Sequence, residues 1–205
     1  MNILPLERQA QIIAALTEGN SIRATERMTG AHRDTIMRLG ARIGDGCAGL
    51  HDHLFRNLDT RILELDEVWA YVGKKQKRTK PEDGNEKGDQ YTFTALDADS
   101  KAIVAYRVGK RDGDNTRAFV WDLRERVSDY MQINTDAFLP YEQAIADAFG
   151  RDAHYAQIVK KVVGEPPVNA ARRYSPGKVV SVSKRVVSGF PVGFLTSTAM
   201  SSGRI

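Results

Sequence analysis

The run Ile62-Leu63-Glu64-Leu65-Asp66-Glu67-Val68-Trp69-Ala70-Tyr71-Val72 constrains the fold more than any other part of the chain. Apolar, aromatic and β-branched residues fill it as a buried strand requires. Asp66 stands in its middle, where a carboxylate is costly unless it is paired or holds a cation. A second short run, Met131-Gln132-Ile133-Asn134-Thr135-Asp136, ends in another aspartate just before a helical segment. Neighbouring strands that bring Asp66 and Asp136 together make a site for two divalent ions and in-line phosphoryl chemistry. Glu67 turns to the opposite face by strand alternation and is not counted as a ligand.

The elements around these two acids follow a definite order. After the Asp66 strand comes a hydrophilic stretch from Gly73 to Asp89, then Tyr91–Leu96 and Ala102–Tyr106, joined by a turn at Asp97-Ala98-Asp99-Ser100. Asp97 and Asp99 are turn residues by their commonest role. A helix is expected from about Asn115 to Tyr130, with Phe119, Leu123 and Val127 on one side. The Asp136 strand, a helix from Pro140 to Phe149 and a strand around Tyr155 to Val163 complete the series. Three antiparallel strands, helix, strand, helix, strand is a ribonuclease-H-like α/β order, with the first strand central and the fourth beside it. Pro166-Pro167 break regular structure, and a Gly-, Ser- and Val-rich remainder follows.

The N-terminal part has another texture. Leu6, Ala10, Ile13 and Leu16 recur at helical spacing, with Ile12 widening the apolar face, and Glu18-Gly19-Asn20 stops that helix. Ser21 suits the N-cap of a second helix, Ile22 to Met28. Thr29-Gly30 turns the chain into a third, with Ile36, Leu39 and Ile43 inside and Gly44 and Gly46 at its end. This is the helix-turn-helix pattern, in which the last helix enters the major groove of DNA. His32, Arg33, Thr35 and Arg38 lie off its apolar face and have base-reading chemistry.

Charge distribution points the same way. The net charge is only +4, but Lys74, Lys75, Lys77, Arg78 and Lys80 form a block. Arg172, Arg173, Lys178, Lys184 and Arg185 make the C-terminal region basic, with Glu165 the only acid after Asp152. Such asymmetry suits a phosphate backbone. The single cysteine, Cys47, excludes an internal disulfide framework and a thiolate-rich zinc finger. Cys47, His51 and His53 read as a surface cluster, and His154 as structural. With no membrane-length apolar stretch and no secretory start, the expected location is cytoplasmic, at the nucleoid when DNA-bound.

Together these residues resemble the transposases of the insertion-sequence-one family. The likeness is carried by Asp66-Glu67-Val68-Trp69 with Val72-Gly73-Lys74-Lys75, by Ala105-Tyr106-Arg107-Val108-Gly109, and by Thr135-Asp136 followed by Tyr141. Ser21-Ile22-Arg23-Ala24 through His32-Arg33-Asp34-Thr35-Ile36 looks like its DNA-end-binding region. The resemblance implies an enzyme with two aspartates and one glutamate that moves a mobile element using Mg2+ or Mn2+. Two ions are expected in a complete site, and Asp66 and Asp136 match the first two acids. The partners implied are double-stranded DNA (terminal inverted repeats and target) and, as an option, further copies of the chain.

The chain departs from that family in two places. It cannot form the cysteine-based zinc ribbon of many relatives. It also lacks the glutamate expected in a Tyr-Val-Glu-Arg-Gln-Asn-like helix beyond the last strand. Codons can be chosen for Leu195 to Ile205 that, read in another frame, encode Tyr-Ile-Asn-Ser-Tyr-Val-Glu-Arg-Gln-Asn. The tail is therefore expected to be out of frame, and the chain inactive alone. The expected domains are a helix-turn-helix at 1–47, a linker at 48–60, an incomplete catalytic domain at 61–190 and an aberrant tail at 191–205. The alternative is a DNA-binding regulator that holds element ends without chemistry. An RNA-directed nuclease of the same fold fits less well, because the N-terminal module suits duplex DNA.

Overall fold

The computed structural model describes residues 3–163 and 178–197. The chain divides into two compact units, Met1–Phe55 and Arg56–Ile205.

In the first unit, α1 (Leu6–Thr17), α2 (Ile22–Thr29) and α3 (Arg33–Leu54) enclose a small core. Ser21 caps α2 as expected, accepting from the Ala24 amide at 3.2 Å. Gly30 ends it with φ +69°, a left-handed conformation that glycine adopts without a Cβ penalty. Ile12, Ala31, Ile36 and Leu39 are buried together, with Leu4, Ile13, Leu16 and Ile43 packed against them. Leu6, expected on the apolar face of α1, is instead 81% exposed, because it occupies the first turn beyond the reach of that core.

The third helix also differs from expectation. It continues through Gly44 and Gly46 to Leu54, and so occupies the first part of the stretch read as a linker. Glycine inside a helix costs about 1 kcal/mol relative to alanine but leaves the hydrogen-bond ladder intact. The helix stops where Phe55 returns its amide to the His51 carbonyl and stacks on the His51 ring at 4.3 Å.

The second unit is built on a six-stranded mixed sheet of order β3-β2-β1-β4-β5-β6. Its strands are β1 (Ile62–Val72), β2 (Gly88–Asp97), β3 (Ile103–Gly109), β4 (Met131–Asp136), β5 (Ala153–Val163) and β6 (Lys178–Ser188). The strands β1 to β3 form an antiparallel meander, β4 and β5 run parallel to β1, and β6 returns antiparallel to β5. The β2–β3 turn is held by the Asp97 carboxylate, which accepts from the Ser100 amide at 3.1 Å. Two helices follow, α4 (Gly113–Arg124) and α5 (Pro140–Phe149). The former ends earlier than the expected Tyr130, since Val127 leaves the helix to bridge Leu58.

One face of the sheet meets these helices in a continuous core. Leu63, Leu65, Phe93 and Ile133 pack there against Phe119, Leu123, Tyr141, Ile145 and Phe149. Polar side chains occupy the centre of the other face, and the segment Val192–Ser197 covers them. Val192 donates its amide to Gln132 at 2.7 Å, Asn134 donates to the Leu195 carbonyl at 3.0 Å, and Ser197 reaches Glu64. Each buried amide thereby finds a partner, which makes the polar ledge tolerable. The strand β6 lies in the Gly-, Ser- and Val-rich remainder, to which the sequence assigned no element. The residues around Pro166-Pro167, Arg172 and Arg173, and those from 198 onward, including most of the stretch read as out of frame, lie outside the described residues. No described helix is long and apolar enough to cross a membrane.

Candidate active site

Asp66 lies at the middle of β1 and is buried; Asp136 ends β4 and is half-buried. The parallel ladder between these strands pairs Leu63 with Ile133 and Glu64 with Asn134. Two residues further along each strand stand Asp66 and Asp136. Parity assigns Asp66 to the side of Glu64 and Asn134, whereas Asp136, at the strand end, shares Arg111 with Glu67. Asp66 accepts the Glu67 amide through Oδ1 at 2.9 Å. Asp136 accepts the Phe138 amide through Oδ1, also at 2.9 Å, which fixes the carboxylate as the chain leaves the strand.

The side chain bound directly to Asp136 is Arg111, from the loop between β3 and α4. Its Nη2 donates to Asp136 Oδ2 at 2.9 Å, and its Nε donates to Glu67 Oε2 at 2.8 Å. The guanidinium also lies 3.8 Å from the centre of the Phe138 ring, a cation–π contact. Glu67, set aside on alternation, is thus tied to Asp136 through one arginine. Its side chain is only 2% exposed. Alternation does place it with Leu63 and Leu65 on the helix side, where Tyr141 of α5 meets it.

Electrostatics reflect this crowding. Burial raises the Glu67 pKa above the usual carboxylate range; Tyr141 and Arg111 pull it back, and the Asp136 charge adds to the rise. Burial also lifts the Tyr141 hydroxyl well above the ordinary tyrosine value, and the charges of Glu67, Asp136 and Asp66 lift it further. All three carboxylates therefore act on one buried phenol. Glu67 and the buried Tyr141 hydroxyl face each other as hydrogen-bond partners. Beneath Asp136, Thr135 and Gln157 hold the Tyr155 hydroxyl at 2.9 and 2.7 Å, and burial pushes its pKa up to about 12.

Among the described residues, no group of three or more His, Cys, Asp or Glu is arranged to hold a metal ion. The donors present are nonetheless hard carboxylate oxygens of the kind Mg2+ prefers. A cationic group, the Arg111 guanidinium, already sits between two of the acids.

The residues expected to meet DNA are distributed over both units. His32 is the N-cap of α3, and its Nδ1 accepts the Asp34 amide at 3.3 Å. Arg33 and Arg38 are exposed, whereas Thr35 is half-buried. Thr35 and Arg38 line a groove with Leu4, Gln9 and Arg42. In the basic block, Lys77 and Arg78 are exposed on a single 3-10 turn. Lys74 is committed elsewhere, donating to Asp83 at 2.8 Å, and Lys87 reaches the same carboxylate at 3.0 Å. These bonds hold the Asp83 carboxyl well below its usual range. Lys75 lies 5.8 Å from the centre of the Trp69 ring.

Comparison with models of protein families, and with curated proteins, finds no match. The site thus rests on its own geometry. Sequence reasoning missed Arg111, which no spacing or periodicity marks. The one available signal for Glu67 was its adjacency to Asp66: two consecutive acids in a buried strand put a carboxylate on each face.

Proposed function

We propose that the chain is a DNA transposase of the insertion-sequence-one type. In this reading the first unit is a helix-turn-helix that holds element ends, and the second is a ribonuclease-H-like catalytic unit. What supports it is the parallel pairing of β1 with β4, which sets Glu64 opposite Asn134 two residues before Asp66 and Asp136, within the order β3-β2-β1-β4-β5. Asp66 and Asp136 would hold Mg2+ or Mn2+. When bound, such ions activate a water or a 3′-hydroxyl and stabilise the leaving oxygen of an in-line displacement. Asp136 is positioned by the Phe138 amide, and Arg33, Arg38, Lys77 and Arg78 offer cations to the DNA backbone or bases.

The test is nicking of a duplex carrying the element's terminal inverted repeats, with Mg2+ or Mn2+. Cleavage abolished by Asp66→Ala and by Asp136→Ala supports the reading; cleavage that survives both sinks it.

The ion pair between Arg111 and Asp136 favours a second reading, a DNA-binding regulator of transposition without chemistry. It expects binding to the same ends without nicking, weakened steeply by salt as counterion release requires.

A further inference from the structure

The strand β1 changes character after Glu67. Its first six residues are buried, whereas the next five, Val68-Trp69-Ala70-Tyr71-Val72, are exposed and include no charged side chain. Pairing with β4 stops at Glu64, so among the described residues this outer half of β1 is joined to β2 alone. The β1–β2 register runs unbroken from Leu63 to Val72, and alternation therefore sets Trp69 and Tyr71 on one face. Their ring centroids are 5.9 Å apart, with the planes tilted by 41°. Trp69 is 46% exposed and Tyr71 49%, so both offer surface to solvent with their cross-strand partners already in place.

Cations border the pair. Lys75 Nζ lies 5.8 Å from the centre of the Trp69 ring. Tyr91 stands opposite Trp69 and pairs in turn with Gly109, which puts Lys110 at the end of that row. Lys110 donates to the Lys87 and Asp89 carbonyls at 2.7 and 2.8 Å, and Arg107 to the Asn115 side chain at 3.1 Å, all neutral acceptors. The acid opposite Tyr71, Asp89, accepts the Gln76 amide at 3.1 Å. Aromatic rings rimmed by cations match a ligand that is planar and anionic at once. A duplex hides the faces of its bases, whereas an unpaired strand presents them beside its phosphates.

We propose that Trp69 and Tyr71, bordered by Lys75, Arg107 and Lys110, form a stacking platform for the unpaired bases of single-stranded DNA. The platform goes beyond the duplex contacts proposed above and rests on that reading only for the choice of DNA over RNA.

The experiment is titration of the full chain with oligothymidylate. In Trp121→Phe, which leaves Trp69 as the remaining tryptophan, the strand is expected to quench tryptophan fluorescence. Trp69→Ala and Tyr71→Ala are each expected to weaken binding about ten-fold by anisotropy of a labelled strand, while Trp69→Phe retains most of it. Unquenched Trp69 at saturating strand, or wild-type affinity in a folded Trp69→Ala, overturns the platform. The wild type gives a check that needs no variant to fold: an abasic strand of equal length is expected to bind about ten-fold more weakly. Equal affinity for the abasic strand reduces the contact to charge and overturns stacking. Displacement by oligouridylate at lower concentration than by oligothymidylate assigns the surface to RNA, and quenching by raised protein concentration alone assigns it to a second copy; each overturns the proposal. Quenching without duplex nicking leaves the platform standing and removes the transposase reading, and nicking without quenching does the reverse.

Discussion

Glu67 shows how one residue's surroundings become a property of the whole protein. Its folded pKa lies above its unfolded value, so between the two the folded state holds more protons. Stability from this group is therefore fully present below the unfolded value, near 4.3, and declines as pH rises through the raised folded value. Glu67→Gln removes that titration. Urea unfolding from pH 4 to 7 is expected to show wild-type stability falling relative to the variant, and a relative rise would contradict the placement of Glu67. The sequence contains the acid but not its environment. Asp66 was legible as a buried strand acid because its flanking pattern is local. The arginine that joins Glu67 to Asp136 arrives from a loop 44 positions along the chain, and no local pattern announces it.

At the scale of elements, most of the strands and helices follow from periodicity, and the departures have specific causes. The helix α3 outruns its glycines because a ladder interrupted only by missing side chains still closes. The strand β6 was hidden by its small and polar residues, although Val179, Val180, Val182, Val186 and Val187 supply the β-branched character a strand favours. Ser21→Ala is expected to cost about 1 kcal/mol of stability in the first unit by removing the α2 cap, read from denaturant midpoints. An unchanged midpoint would mean the cap contributes nothing. In the loop after β1, Lys74 and the exposed pair Lys77 and Arg78 have separate duties. Replacing Lys77 and Arg78 with alanine is expected to weaken binding to all DNA sequences alike and to flatten its salt dependence. Lys74→Ala is expected instead to speed proteolysis between Gly73 and Gly88, by removing one of the two lysine bonds to Asp83 that secure the loop. Loss of affinity confined to one DNA sequence would refute the first expectation, and unchanged proteolysis the second.

For the whole molecule, the two units carry separate cores, one around Ile12, Ile36 and Leu39 and one around Leu63, Phe119 and Tyr141. Truncating a buried isoleucine to alanine costs about 2–5 kcal/mol. Ile36→Ala is expected to lower amide protection across the first unit and leave that of β1, β4 and β5 unchanged, as hydrogen exchange resolved by residue would report. Equal loss in both units would show that they unfold together. What the sequence determined by itself was the kind and order of most elements, the burial of Asp66 within a strand and the place of Asp136 at a strand end. Those properties are written in neighbouring residues, as alternation, helical spacing, caps and turns. Only the tertiary structure decided that Arg111 spans Glu67 and Asp136, that β6 extends the sheet beyond β5, and that Val192–Ser197 closes over Gln132 and Asn134. Each of these joins residues far apart in the chain, and such meetings are set by how the sheet is ordered and covered, which short-range patterns do not encode.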